Sequence, residues 1–590
     1  MGNYNKTQYE YMLEQNKNHM NEIALSFGDR KITYEELHDK IDKYSRLLYK
    51  RGVREGDRIG FSSYNTPEGV YLLYALLNLG AIDIGFNPLE QNKSSKLNTK
   101  ADLENTRPKM VITVDRNFSN FKNWEKALDF STILFSPLES VPDTPETRKL
   151  KTGYKLQQLF AGNFKLSGKC NLSSLLKEDY SDVNYPKGRY IKDTVGDIIF
   201  TGGSTGTHKG VDLAQDSFNA VVEGMNSIFP AKPGMIHLGN IPFCSMAYGR
   251  SILHFSLCNN MEYALTLKAM PSDFYPELVR THANAAVGGP VHWVTLIEEK
   301  NGIYVPSDQV KPGTLTELHY ATSGGEAKKA ATVDAINAAL EQGGSDAKIG
   351  DGLGSTETAA SIMINNGRIH HKNTVGTPIS TVNVKLIKPS DPKAKASEIP
   401  KEEVKKGEAG ELIVTGDTVM LGYHGNQEET ERVLYYDENG KRCIRMGDVL
   451  KQDEYDEYEY VGRIKRNFVS GCDNIYSELL EETLMTIPEI KEVVVTPISD
   501  SMVQFVPRYH IYLAHEDIDI NDLEKKIEAV VLSKHNINWL PGSIVYYYKP
   551  LQRMSNSKIN VGYYKDIDAK DLEDGKIDIS KAKELRLKAI

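Results

Sequence analysis

The sequence predicts an α/β protein: a large N-terminal domain of mostly parallel sheets with helices plus a β-rich subdomain, and a small α/β C-terminal domain. Three observations lead there. From about residue 22 to 135, helical and strand periodicities alternate as in βαβ units. Beyond Gly410 the pattern turns strand-rich, with ELIVTG, CIRMGDVL and YEYVG in succession. After Arg463 the composition shifts again, and residues 465–560 read as a separate α/β module. A chain of 590 residues exceeds one ordinary core, so more than one domain is expected.

The elements follow in order. Tyr34 to Arg51 reads as an amphipathic helix with Thr33 as its N-cap. Arg58–Ser62 reads as a strand, Asn65–Leu79 as a helix, and Ala81–Phe86 and Met110–Val114 as strands. Residues 138–193, polar and irregular, are expected to form a surface insertion. Gly196–Phe200 is a strand entering a Gly-rich loop. Ser390–Gly407, dense in Lys, Glu and Pro, is a solvated loop. In the last module a helix is expected near 478–485, with strands at VVVTPI, YHIYLA and SIVYYY.

Composition removes several function classes. A formal net charge of −9 disfavours broad attraction to nucleic acid. Five cysteines, none in a Cys-x-x-Cys pair, argue against a disulfide framework or a zinc site and fit a reducing cytoplasm. The polar N-terminus lacks a signal core. Val70–Phe86, the most apolar stretch, is too short and mixed to span a bilayer and reads as a buried helix followed by a strand.

The strongest local signal is DIIFTGGSTGTHKGV, residues 197–211. Glycines let backbone N–H groups approach an anion; Ser204, Thr205 and Thr207 add hydroxyls and Lys209 a charge, a set suited to wrapping a polyphosphate. A Walker loop requires Gly-Lys-Ser/Thr, whereas His208 precedes Lys209 and Gly210 follows it. Gly202-Gly203-Ser204-Thr205-Gly206 formally fits a nucleophile elbow, but Lys209-Gly210-Val211-Asp212 starts a helix poorly. A ligand-free polar turn is the remaining alternative.

This loop resembles that of the adenylate-forming superfamily of acyl-CoA synthetases, peptide-synthetase adenylation domains and luciferases. Thr201, Gly203, Ser204, Thr205, Gly206, Lys209 and Gly210 match, while Gly202 and His208 replace the usual Ser and Pro. Further resemblances follow in family order: ITYEEL (32–37), LNLGAIDIGFNPL (77–89), SGGEA (323–327), DGLGSTE (351–357), GELIVTGDTVMLGY (410–423), Gly447-Asp448, Gly462-Arg463 and RMSNSKIN with Lys558. Together they cover roughly residues 20–565.

The resemblance implies an N-terminal AMP-binding domain, 1–464, and a mobile C-terminal domain, 465–590, with Lys465 at the hinge. It implies that Ser204, Thr205 and Lys209 hold the β- and γ-phosphates of ATP, with Thr201, Gly203 and Gly206 also binding the nucleotide, and that Thr356 meets the α-phosphate. Glu357, with Thr205, is implied to hold Mg²⁺, a hard cation that favours oxygen. Gly325, Glu326, Ala327, Asp351 and Leu353 are implied to surround the adenine; Leu353 stands where many relatives have tyrosine. Asp448 is implied to accept from the ribose hydroxyls and Arg463 to hold the ribose or phosphate side. Lys558 is implied to be the catalytic lysine of adenylation.

The implied reaction activates a small-molecule carboxylic acid with ATP and transfers it to CoA. A close alternative is a free-standing enzyme loading a phosphopantetheinyl carrier protein; a different class is a non-catalytic nucleotide sensor. IPFCSMAYG (241–249) lacks the histidine common in acyl- and aryl-CoA ligases, and no aspartate is present to grip an α-amino group. Ser245, Met246, Gly288 and Gly324 are expected to line the acid pocket, which suits an aryl or medium acyl acid. Trp293 is equally a core or a pocket residue. In the thiolation loop, Cys472 falls where the family has glycine after Gly471. His370-His371, with no third ligand spaced nearby, reads as a surface loop.

Overall fold

The computed structural model describes residues 4–576 apart from 89–92, 142–143, 162–169, 203–207, 269, 301–302, 325–329, 372–373, 471–472, 501–503, 554–558 and 575. Two large sheets dominate. The seven-stranded one runs Gly422–Tyr423, His208–Ala214, Val195–Gly202, Ile82–Gly85, Arg58–Ser62, Met110–Val114, Ser131–Phe135. The last five are parallel, and the first two add antiparallel. The nine-stranded sheet runs from Thr377–Pro378 to Arg30–Thr33, with six parallel central strands that include Ile236–Gly239, Ala285–Gly288, Tyr320–Gly324 and Ile349–Ser355. Strands such as Met110–Val114 and Ala285–Gly288 are buried along their whole length, as in parallel sheets covered on both faces.

Local chemistry explains the helices. Tyr34–Lys50 starts where Thr33 Oγ1 accepts the Glu36 N–H at 3.2 Å. The next helix spans Pro67–Asn78 rather than starting at Asn65, because Thr66 caps it and Pro67 occupies its first turn. It is buried throughout, and the strand Ile82–Gly85 follows it. The region 138–193 differs from its irregular reading: it contains a helix, Pro145–Phe160, capped by Thr144, and a short one, Leu172–Leu175.

After Val382 the chain forms an antiparallel sheet of Val382–Ile387, Ala409–Gly416, Arg442–Gln452, Leu434–Tyr436 and Tyr458–Arg463. Residues 390–407 between its strands are turns and coil. The short helical turn Ile464–Arg466 then leads into a last sheet built on Ile490–Asp500 and Gln504–Leu513. That sheet has its own core, including Ile475, Leu480, Val495, Tyr509 and Ile527. Its helix Ser477–Leu484 rests on the preceding sheet: Glu478 Oε2 accepts the Arg463 N–H at 3.0 Å, and Leu479 packs near Val461 and Ile464.

Candidate active site

Parallel strands end on one line. Gly288 pairs in register with Ser323, Ser323 with Asp351, and Gly324 with Gly352. The carboxyl ends of adjacent parallel strands are where α/β proteins open ligand crevices. The strand Ile349–Ser355 continues into the turn Thr356–Thr358, which carries Thr356 and Glu357, both half-buried. The turn is strained: Ala359 and Ala360 have φ of 52° and 95°, conformations that alanine adopts at a cost of about 1–3 kcal/mol each. Gly354 permits the close return of the chain, since a Cβ there would lie 1.5 Å from the Ala360 carbonyl oxygen.

Glu357 faces the other sheet. Tyr423 donates its hydroxyl to Glu357 Oε1 at 2.8 Å, and Lys209 Nζ lies 4.9 Å from the centre of the Tyr423 ring. Burial, with the Glu357 charge beside it, pushes the Tyr423 phenol far up, so it stays a donor. Lys209 sits opposite Thr201 across the hairpin that flanks the Gly-rich loop, and it pairs with Glu429, whose carboxyl it holds below the usual range. A small cleft of about 160 Å³ opens here between Asn105, His208, Lys209 and His424. Lys209, Glu357 and Tyr423 thus converge from three distant segments.

Asp448 and Arg463 face each other on adjacent strands, with Arg463 Nε 2.7 Å from Asp448 Oδ1. The pair is poorly aligned, and Asp448 Oδ1 accepts no hydrogen bond among the described residues although the side chain is 1% exposed. Burial raises its carboxyl to about 6, against the opposing pull of Arg463; the Glu357 charge contributes to the rise. A buried acceptor with spare capacity suits a hydroxyl-bearing ligand. Lys465 is exposed in the turn Ile464–Arg466, and its charge reaches Glu429.

Ser245 and Met246 precede the helix Ala247–Cys258, Ser245 buried and Met246 exposed. That helix carries Tyr248, whose hydroxyl lies 3.4 Å from where a Gly324 Cβ would stand. The structure therefore gathers Gly324, Asp351 and, by packing, Leu353 around the same strand ends, while Ser245 lies against Gly85 of the other sheet, its Cα 3.3 Å from where a Cβ there would stand. Gly288 opens no space on its own face, because a Cβ there would lie 2.9 Å from His292. Trp293 is fully buried and donates Nε1–H to the Thr322 carbonyl at 3.0 Å, which makes it core. Gly203, Ser204, Thr205, Gly206, Thr207, Gly325, Glu326, Ala327, Cys472 and Lys558 lie outside the described residues.

Sequence reasoning missed Tyr248, Glu429 and Asn240. Asn240 follows the strand Ile236–Gly239; it is buried, and neither its Nδ2 nor its Oδ1 has a hydrogen-bond partner among the described residues. Tyr423 ends the quoted GELIVTGDTVMLGY motif, but no signal in the sequence marked its side chain. At His371 the fold supplies neighbours that local spacing did not: Nδ1 lies 3.0 Å from Glu457 Oε1, and the ring stacks on Tyr455 at 4.0 Å. Asp453 completes a cluster within 4.8 Å, but the Glu457 oxygens are already engaged by the Thr374 hydroxyl and the His371 N–H.

Comparison with known proteins bears on this geometry. The family described as AMP-binding enzyme matches residues 12–424. A long-chain-fatty-acid–CoA ligase of Bacillus subtilis strain 168 is 24% identical over 502 residues, 84% of each chain. The crystal structure of the anthranilate CoA ligase AuaEII with anthranoyl-AMP superposes with a TM-score of 0.72 at 18% identity, covering 95% of this chain and 97% of that one. The o-succinylbenzoate coenzyme A synthetase of Bacillus subtilis with ATP and magnesium gives 0.68 at 18% identity, covering 94% and 99%.

Proposed function

This chain belongs to the AMP-binding enzyme family, within the adenylate-forming superfamily, and from that premise we propose that it is an AMP-forming acid–thiol ligase. The carboxylate oxygen of the acid attacks the α-phosphorus of ATP, the bond to pyrophosphate breaks, and an acyl-adenylate forms. The sulfur of CoA then attacks the acyl carbon and AMP leaves. The observation that carries this reading is the convergence of Lys209, Glu357, Tyr423 and the buried Asp448.

Within it, Lys209 exchanges Glu429 for the β- and γ-phosphates, with Thr201 and the Gly-rich loop (Gly203, Ser204, Thr205, Gly206) beside them. Thr356 meets the α-phosphate. Gly325, Glu326, Ala327, Asp351 and Leu353 enclose the adenine, and Asp448 with Arg463 holds the ribose. Glu357, an oxygen donor fixed by Tyr423, suits Mg²⁺, which when bound neutralises phosphate charge. Residues 1–464 form the nucleotide domain and 465–590 the moving one, turning at Lys465. The acid is of the aryl or medium acyl class; Tyr248 closes one side of its pocket near Gly324, and Asn240 and Ser245 offer buried polar atoms without a partner among the described residues.

Incubation with pooled acids, ATP, Mg²⁺ and CoA, read by mass spectrometry, tests this. We expect one acyl-CoA with stoichiometric AMP. Adenylate without acyl-CoA would move the acceptor to a carrier-protein thiol, and no nucleotide turnover with any acid would favour the sensor reading. A pH series adds a second check. The Asp448 carboxyl, raised to about 6 by burial, must be ionised to accept two hydroxyls. Apparent ATP affinity should therefore fall about tenfold per pH unit below 6. Asp448→Asn should bind weakly at every pH and lose that dependence. For stability the sign is opposite: burial disfavours the charged form, so this group's contribution is largest below its unfolded pKa and is lost as pH rises through about 6.

A further inference from the structure

The helix Pro145–Phe160 is amphipathic the wrong way round for a soluble protein. Its inward face is polar: Thr147, Lys151, Tyr154 and Gln158 point to the body, and Tyr154 donates its hydroxyl to Asp115 Oδ1 at 2.6 Å. Its outward face holds Lys149, Leu156 and Phe160 at helical spacing, with Leu159 on one flank and Leu150 on the opposite one. Leu150, Leu156 and Leu159 are 57%, 50% and 44% exposed and Phe160 is 87% exposed. A helix normally buries its apolar stripe, so this arrangement calls for an external partner.

Charge says which partner. From Arg148 to Lys177 the sequence has seven Lys or Arg and no Asp or Glu, in a chain of net charge −9. The apolar side chains stand on a convex helix with the exposed cations Lys149 and Lys155 around them. A convex apolar strip set among cations, on an otherwise acidic protein, matches an anionic lipid headgroup layer with acyl chains beneath it. No described helix is long and apolar enough to cross a membrane, so the contact is with the surface.

We propose that the helix Pro145–Phe160 is a peripheral docking site for anionic membranes, inserting Leu156, Leu159 and Phe160 between headgroups that Lys149 and Lys155 bind. The acidic remainder is repelled by the same surface, which fixes one orientation. The helix bonds to Asp115, just past the carboxyl end of Met110–Val114, on the same carboxyl-end rim of the parallel sheet as Val195–Gly202, with the strands Arg58–Ser62 and Ile82–Gly85 between them. An acid dissolved in the bilayer would thus be presented on the side of the sheet at which the strand Val195–Gly202 ends. The docking itself does not depend on the proposed reaction.

Flotation of the full chain tests it, using vesicles of phosphatidylcholine and phosphatidylglycerol in equal parts and vesicles of phosphatidylcholine alone. The chain should float with the anionic vesicles only, and raised salt should release it. Lys149→Glu/Lys155→Glu should lower partitioning by about thirtyfold or more. Leu156→Gln/Phe160→Gln should lower it by about tenfold or more. Leu156 and Phe160 are exposed, so melting temperature and ATP turnover on a water-soluble acid should stay at parental values in their double variant; Lys155 also offsets the Glu139 and Asp115 carboxyls, so the lysine pair is compared with Lys149→Gln/Lys155→Gln at a temperature where both are folded. Equal flotation with both vesicle types, or variants that float like the parent, would overturn the proposal. So would a vesicle-free mass that doubles with concentration and collapses in Phe160→Gln, which would assign the face to a second copy.

Discussion

Replacing Arg250 by Ala should destabilise the N-terminal sheets by about 3–5 kcal/mol. Arg250 is completely buried, on the helix Ala247–Cys258. Its guanidinium donates to Asp83 Oδ2 and Asp197 Oδ1, each at 2.5 Å, and to the Phe243 carbonyl at 3.1 Å. Asp83 and Asp197 are register partners on adjacent parallel strands, and Gln8 donates to the outer oxygen of Asp197 at 2.6 Å. Burial pushes both carboxyls up, and only Arg250 opposes it appreciably at Asp83. Without the guanidinium two carboxylates face each other in a dry interior and must take up protons or water. Urea unfolding followed by hydrogen exchange in the strands Ile82–Gly85 and Val195–Gly202 reads the loss. The deficit should shrink as pH falls, because the orphaned carboxyls are then neutral. Arg250→Met combined with Asp83→Asn and Asp197→Asn should recover much of it, since no charge is left unpaired. A loss below about 1 kcal/mol for Arg250→Ala would show that water reaches these carboxyls and that the network carries little.

The network illustrates where sequence reading stops. Asp83 and Asp197 sit inside apolar strand runs, IDIG and GDIIF, and only tertiary placement explains a carboxylate there. Elements governed by local rules were legible: Tyr34–Lys50 from its periodicity and Thr33, and Arg58–Ser62 and Met110–Val114 to the residue. The helix Pro145–Phe160 escaped because its apolar side chains face outward, so the usual link between periodicity and burial is reversed. In the site, motif order gave DGLGSTE and the Gly-rich hairpin, because those segments are contiguous. The contacts that join them were invisible: Tyr423 meets Glu357 across 66 residues, and Glu429 meets Lys209 across 220. The neighbour of Gly288 was invisible for the same reason, since the His292 side chain beside it is placed by the following turn.

Replacing Lys558 by Ala should slow pyrophosphate release about 10²–10³-fold, some 3–4 kcal/mol of barrier, at unchanged ATP affinity. As the carboxylate oxygen attacks, negative charge gathers on the α-phosphoryl group and the departing pyrophosphate. A positioned ammonium is worth more to that state than to bound ATP, so the loss falls on turnover rather than on binding. Lys558 lies in sequence between Arg553 and Ile559, which pair across an antiparallel bridge next to the helix Val561–Glu573. The adjoining module has its own core and meets the larger part through Tyr476, Glu478 and Leu479, beside the turn Ile464–Arg466 that carries the proposed hinge, Lys465. If that turn separates the two half-reactions, Lys558→Ala should pass a supplied acyl-adenylate on to CoA at close to the parental rate. Lys465→Pro, by fixing the turn, should impair passage from one half-reaction to the other more than either alone. A Lys558→Ala chain that loses both half-reactions equally would assign the lysine to holding the module's shape. One that loses neither would remove it from the chemistry and leave Lys209 to carry the charge.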